Sequence, residues 1–277
     1  MTTIAYLGPE HTNTHLAAQA KFGSRSQYRH EPTVDDVFTA VERDRAEYGV
    51  VPIENSLEGA VTHTLDRFID FQDSPVKIHG EIEQPIRHYL IVAPDTELAD
   101  IALVFSHPQA LAQCRRWLAR HVPHGAPRET NSTADAVRYV MQKKRMRAAV
   151  GRKELAQQYR LRAIPIPEER ENRTRFLIIS KHRPGKATRS KTSILLALKD
   201  RPGALYDALM PFKREGINLT KIESRPSKKK AWEYFFFIDF AGHAAELRVK
   251  RALKALGAST SLLRVLGSYP AAPKRGR

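Results

Sequence analysis

Apolar residues fall along the first two-thirds of this chain in short runs separated by polar turns. Runs at 4–7, 48–53, 101–105 and 148–151 are short, apolar and bounded by glycine, proline or polar clusters, which predicts buried strands. Between them apolar residues recur at helical spacing. Examples are His15, Leu16, Ala17, Ala20 and Phe22, then Val34, Val37, Phe38 and Val41, then Ala110, Leu111, Cys114, Trp117 and Leu118. Further helices are predicted over 62–68, from a cap within 130–134 through Val140, and over 154–159. Strand-like runs cover 77–82 and 88–91, with a short edge at 163–166. Residues 177–180 read as one more strand, with Thr174 and Arg175 expected in the loop that enters it. Alternating strands and helices predict an α/β architecture with largely parallel sheets.

After His182 the pattern changes. Residues 183–191 form a polar linker holding Pro184 and Gly185. Then come a strand at 192–198, a turn at 200–203, an amphipathic helix at 204–215 closed by Gly216, and a strand at 219–224. A hairpin loop at Lys228-Lys229-Lys230 leads to a strand at 234–240, a helix at 244–256 and a strand at 261–266. The order βαββαβ is ferredoxin-like.

Composition narrows the function classes. A chain of 277 residues with 42% hydrophobic and 27% charged residues describes a globular protein with a full core. The single Cys114 excludes an internal disulfide framework and points to a reducing, cytoplasmic setting. The first residues lack the pattern of a signal peptide, and no run of 18 apolar residues exists, so no membrane association is expected. The net charge is +16, of which +11 lies from Lys191 onward, with 18 Lys and Arg against 7 Asp and Glu. Much of that excess sits in Lys228–Lys230 and in the 271–277 tail. Neither is interleaved with aromatics, so both read as solvated charge and no nucleic acid is expected as a partner. No metal and no cofactor is expected.

Three polar clusters fall at carboxyl ends of predicted strands, where ligands bind in open α/β sheets: the Gly8 to Thr14 turn, Glu54 to Glu58, and Ser106 to Gln109. Thr174 and Arg175 add a hydroxyl beside a guanidinium fork, a pairing suited to a small carboxylate substrate. Cys114 shares a helical face with Leu111 and Leu118, which predicts core packing.

The ordered motifs resemble the prephenate dehydratase family with a C-terminal ACT domain. They are Tyr6-Leu7-Gly8-Pro9-Glu10, Val51-Pro52-Ile53-Glu54-Asn55-Ser56 with Glu58-Gly59, Ser106-His107-Pro108-Gln109-Ala110-Leu111, and Thr174-Arg175-Phe176. In the second part they are Gly203-Ala204-Leu205-Tyr206, Gly216-Ile217-Asn218-Leu219 and Glu223-Ser224-Arg225-Pro226. The resemblance implies a catalytic region over 1–182 in two α/β lobes similar to periplasmic binding proteins, roughly 1–75 with 166–182 and 76–165, with the active cleft between them. It implies an ACT domain over 192–270 that binds L-phenylalanine as feedback inhibitor, and assembly as a homodimer or homotetramer. No chorismate mutase segment precedes Tyr6, so the monofunctional form is expected. The alternatives are arogenate dehydratase and a non-catalytic amino-acid sensor on the same fold.

The reaction so implied removes a ring carboxylate as CO2 and a ring hydroxyl as water from prephenate. A cation on the leaving carboxylate would stabilise the ground state, so Arg175 is assigned to the side-chain carboxylate. Thr174 is the first candidate for hydrogen bonding to the leaving hydroxyl. His107 follows as general acid by its intrinsic pKa, and Glu58 follows if burial raises its own. Asn55, Ser56, Gln109, Phe176, Thr12 and Thr14 are the further substrate-binding candidates. Asn55, Ser56 and Gln109 also suit turn or first-turn surface roles, His107 a helix cap, and Phe176 a packing role in the wall. The expected effector residues are Gly203, Ala204, Leu205, Asn218, Leu219, Glu223, Ser224 and Arg225. Two stretches depart from the family pattern. His11-Thr12-Asn13-Thr14-His15 stands for the usual Gly-Thr-Phe-Ser-His, and Arg152 stands where small residues are usual. The first exchange is expected to alter the turn, the second to add positive charge.

Overall fold

The computed structural model describes residues 1–70, 74–142, 146–167, 171–185, 187–227 and 233–272. The Lys228–Lys230 loop and most of the basic tail lie outside them. The elements in order are β1 (Thr3–Leu7), α1 (Asn13–Phe22), β2 (Gln27–Glu31), α2 (Val34–Glu42), β3 (Tyr48–Asn55), β4 (Gly59–Ala60), α3 (Thr62–Asp70), β5 (Lys77–Pro85) and β6 (His88–Val92). They continue with β7 (Leu103–Ser106), α4 (Pro108–His121), β8 (Ala126–Glu129), α5 (Thr133–Gln142), β9 (Arg147–Gly151), α6 (Lys153–Gln158), β10 (Arg162–Ile166) and β11 (Arg173–Ser180). The last six are β12 (Ser190–Leu198), α7 (Ala204–Arg214), β13 (Leu219–Pro226), β14 (Tyr234–Ala241), α8 (Leu247–Ser259) and β15 (Thr260–Pro270). Contacts divide the chain into two compact units. The first holds 1–7, 17–83 and 175–277, the second 8–16 and 84–174.

The first unit contains two sheets. One has the order β2-β1-β3-β11-β5 with β4 on β3, and β1 runs parallel to both β2 and β3. The other has the order β13-β14-β12-β15, and its strands pair antiparallel throughout. With α7 and α8 it forms the expected ferredoxin-like module. In β12 and β14 successive residues serve two cores. Ile194, Leu196, Ile238 and Phe240 pack with Phe212 and Val249 of α7 and α8. Leu195, Ala197, Phe235 and Phe237 pack with Phe68, Ile78, Leu177 and Ile179 of the first sheet and its helix. A strand buried on both faces loses hydrophobic alternation, which accounts for the run Phe235-Phe236-Phe237-Ile238. On β15, a Cβ at Gly267 would stand 2.2 Å from the Ile78 carbonyl oxygen. Only glycine allows two backbones so close.

The second unit has the sheet β10-β6-β9-β7-β8. Here β7 is parallel to β8 and β9, whereas β6 is antiparallel to β9 and β10. The sheet is therefore mixed, against the expectation of largely parallel pairing. Its core splits across the sheet. Leu90, Val92, Ala148 and Val150 face α4, and Ile91, Ala149 and Phe105 face α5 and α6.

Candidate active site

β11 begins earlier than its apolar run suggests, so Thr174 and Arg175 lie inside the strand and not in the loop before it. The approach to that strand is fixed within the second unit. The buried Asn172 side chain donates to Gln113 Oε1 at 2.9 Å, and its carbonyl accepts from Ile86 N at 2.9 Å. These bonds place the half-buried Thr174 at a defined position along the strand.

Arg175 belongs to the first unit and is 7% exposed. Nη2 donates to Asp239 Oδ2 at 2.7 Å and Nη1 to Glu81 Oε2 at 3.1 Å. Nε lies 2.8 Å from Glu54 Oε1 as an ion pair without hydrogen-bond alignment. Burial disfavours the charge, but Asp239 first, then Tyr269, Glu54 and Glu81, outweigh it and hold the guanidinium above its ordinary pKa. The network extends further. Glu81 also accepts from Lys191 Nζ at 2.8 Å and Ala272 N at 2.9 Å, and Glu54 pairs with Lys221. Ser193 donates to Asp239 Oδ1 at 2.5 Å and meets the Tyr269 hydroxyl at 2.7 Å. Three carboxylates thus face three cations.

This geometry corrects the expected role of Arg175. All three nitrogens are committed to carboxylates of the protein itself, so the guanidinium is not open to a substrate carboxylate. Phe176 is likewise 1% exposed and packs with Ile4, Tyr6 and Val50 in the core, not on a wall open to ligand. The partners Glu81, Asp239, Lys191 and Tyr269 were missed from sequence. A lone acid inside an apolar strand, as Asp239 stands in Phe236-Phe237-Ile238-Asp239-Phe240, is the signal that points to a buried ion pair.

The turn after β3 also lies in the first unit. Asn55 Oδ1 accepts from Leu57 N at 2.9 Å and Glu58 N at 3.2 Å, which closes an Asx turn. Ser56 and Glu58 are exposed. The burial that an acid role for Glu58 requires is absent.

The second unit gathers the other candidates. β7 ends at Ser106, whose hydroxyl donates to Val150 O at 2.7 Å. His107 then caps α4, its Nδ1 accepting from Gln109 N at 3.3 Å, with Pro108 in the first turn. An accepting Nδ1 leaves the proton of the neutral ring on Nε2. The Gln109 side chain is on the exposed first turn. In the 8–16 segment His11 has φ 64°, the left-handed conformation that favours glycine. His11 N donates to His15 Nδ1 at 2.9 Å, and His15 N to Thr12 Oγ1 at 3.3 Å. Thr14 is buried. The two departures from the family pattern meet here, for Arg152 Nη1 donates to Asn13 Oδ1. Burial, then the Arg152 charge, lowers His88 to about 4.

In the ferredoxin-like module Gly203 adopts φ 78° before α7. Gly203, Ala204 and Leu205 line a cavity of about 670 Å3 together with Arg201, Tyr234 and Phe236. The other expected effector residues stand elsewhere. Asn218, just before β13, and Leu219, Glu223, Ser224 and Arg225 on it do not line it. Arg225 instead forks onto Asp66 of α3 at 2.9–3.1 Å, and Glu223 lies 4.0 Å from Lys221.

A family model described as prephenate dehydratase matches residues 4–184, and one described as ACT domain matches 192–258. The chain is 49% identical over 271 residues to the bifunctional chorismate mutase/prephenate dehydratase of Aquifex aeolicus, covering 97% of this chain and 74% of that protein. It is 42% identical over 244 residues to the prephenate dehydratase of Methanocaldococcus jannaschii, covering 86% of each. The crystal structure of prephenate dehydratase from Arthrobacter aurescens in complex with L-Phe matches at TM-score 0.89 and 33% identity, over 100% of this chain and 92% of that one. Fold and family match together define a carbon–oxygen lyase of α/β build that carries an ACT module. The chain belongs to the prephenate dehydratase family.

Proposed function

We propose that this protein converts prephenate to phenylpyruvate in phenylalanine biosynthesis and that phenylalanine bound at the ACT module inhibits it. In the step, the bond to the leaving ring carboxylate breaks to release CO2. Its electron pair aromatises the ring and expels the ring hydroxyl, which takes a proton to leave as water. Thr174 donates a hydrogen bond to that hydroxyl. A threonine hydroxyl is a weak acid, so the proton itself comes from His107 in its doubly protonated form, in which Nδ1 no longer accepts from Gln109 N. Glu58 ranks third, since it is exposed. Asn55, Ser56, Gln109, Thr12 and Thr14 remain the candidates for contact with substrate. Arg175 acts behind Thr174, holding its strand. The observation that carries the reading is the placement of Thr174 on β11, fixed by Asn172, in a chain so similar to named dehydratases.

Catalytic region 1–182, linker 183–191, ACT domain 192–270 and tail 271–277 are the working divisions. The effector would sit against Gly203, Ala204 and Leu205, in the cavity they line. We place the protein in the cytoplasm as a homodimer or homotetramer.

The test is turnover of purified protein on prephenate, followed as phenylpyruvate, with arogenate in parallel and Thr174→Ala as control. Phenylpyruvate from wild type that collapses in the variant is the expected result. Turnover of arogenate alone would move the assignment to that substrate, and none on either would leave an amino-acid sensor.

A further inference from the structure

The two carboxylates of prephenate need unequal treatment, because only the side-chain carboxylate survives the reaction and can be held by a cation without cost to the chemistry. Arg175 cannot be that cation, since its nitrogens already face Asp239, Glu81 and Glu54. Arg67, the other deeply buried guanidinium, has Glu42 at 3.1 Å and Asp35 at 3.6 Å.

Arg152 is different. Its side chain is 11% exposed, yet its one carboxylate partner among the described residues is Glu154 at 3.7 Å, and Glu154 is 52% exposed. The other partner is the neutral amide of Asn13, which orients Nη1. Nη2 has no hydrogen-bond partner among the described residues. The charge is felt nearby, for it is the second cause, after burial, that keeps His88 neutral. Burial also lowers the affinity of Arg152 itself for its proton. A guanidinium that is desolvated, aimed by an amide and short of a counter-ion gains most from an anionic ligand.

We infer that Arg152, oriented by Asn13, binds the side-chain carboxylate of the substrate and sets the preference for an oxo acid over its amino-acid analogue. The inference rests on the proposed dehydratase activity. An arogenate-type substrate brings an ammonium group next to the same carboxylate. That second cation is repelled by a guanidinium with little compensation, whereas a keto group is not. Arg152 is then a substrate-binding residue and Asn13 a positioning residue.

The experiment is steady-state kinetics on prephenate and arogenate for wild type, Arg152→Gln, Arg152→Lys and Asn13→Ala, with circular dichroism to confirm folding. Loss of a charge-assisted bond predicts a KM for prephenate about 10- to 100-fold higher in Arg152→Gln, with kcat little changed. Its preference for prephenate over arogenate should fall by a similar factor. Arg152→Lys keeps the charge but loses the fork, so its KM should lie between the two. Asn13→Ala should raise KM several-fold and leave kcat alone. A KM within twofold of wild type in a folded Arg152→Gln overturns the inference. If that variant does not fold, an unchanged KM in Arg152→Lys overturns it instead. Wild type inactive on prephenate sinks the functional reading and this inference together, whereas active wild type with an unaffected Arg152→Gln sinks the inference alone.

Discussion

Arg175 Nη2 and Asp239 Oδ2 lie 2.7 Å apart, and each side chain is 7% exposed. The pair joins the strand that carries Thr174 to the central strand pair of the ferredoxin-like module. It does not stand alone. Lys191 and Lys221 reach Glu81 and Glu54 from that module, and Arg225 reaches Asp66. Most of these links are partly buried, so they are desolvated ion pairs and not weak surface bridges.

Truncating one member of such a network exposes what it balances. Arg175→Ala would leave Glu54, Glu81 and Asp239 with two lysines between them. Removing one partner of a buried pair costs about 3–5 kcal/mol. Urea denaturation of the variant should show a loss of that order. A loss under about 1 kcal/mol would mean that water or a rotated lysine replaces the guanidinium and that the network holds little together.

Gly267 tests the same junction by sterics. The Cβ of an alanine would meet the Ile78 carbonyl oxygen at 2.2 Å, and backbone cannot swing aside as a side chain can. Gly267→Ala should therefore destabilise the fold by about 3 kcal/mol, the upper part of the range for overpacking. Gly23→Ala is the control. It has open space but φ 72°, so it carries only the left-handed penalty of about 1–2 kcal/mol. Thermal unfolding of both, side by side, separates a clash from a strained φ.

His88 predicts an acid limit. Its ordinary value of 6.5 is lowered to about 4 in the folded chain, by burial first and by Arg152 second. Between those values the unfolded chain binds a proton that the folded chain refuses. Stability from this group is therefore complete above 6.5 and is lost as pH falls toward 4. The loss reaches about 2.5 kcal/mol by pH ~4.5. Urea midpoints of wild type and His88→Leu at several pH values check it. The variant, whatever its stability near neutrality, should show the shallower decline. Equal slopes would assign the acid sensitivity to other groups.

What could be read from the sequence follows from what each feature depends on. The helix α2 was legible because Thr33 caps it and Val34, Val37, Phe38 and Val41 share a face. The ferredoxin-like order was legible because each of its elements carries its own apolar pattern. β2 and β8 were not, since Gln27–Glu31 and Ala126–Glu129 are largely exposed and owe their strand form to a partner. The mixed direction of the second sheet was hidden for the same reason, as pairing direction leaves no mark on a short buried run. Arg175 was read as the anchor of a substrate carboxylate because its protein partners lie 94 and 64 residues away along the chain, beyond any local pattern. Of the two readings of His107, the helix cap is the one the structure bears on, for its capping bond is formed.

Gly203 offers the means to part regulation from turnover. It stands at φ 78° at the start of α7, on the wall of the cavity that also includes Ala204 and Leu205. A Cβ there would meet nothing within 4 Å, so the space is free for a ligand and equally free for a larger side chain. Gly203→Val pays the left-handed penalty, about 1–2 kcal/mol and somewhat more for a β-branched residue, without a clash. The fold should persist, and phenylpyruvate formation without effector should stay within about twofold. A branched side chain in the cavity excludes an aromatic amino acid, so the phenylalanine concentration for half inhibition should rise by about 10-fold or more, the factor that ~1.4 kcal/mol of lost binding produces. Inhibition curves for wild type and variant, taken at one prephenate concentration, decide the matter. Superimposable curves would move the effector away from this cavity, and β13, with Asn218 and Ser224, would be the next place to substitute.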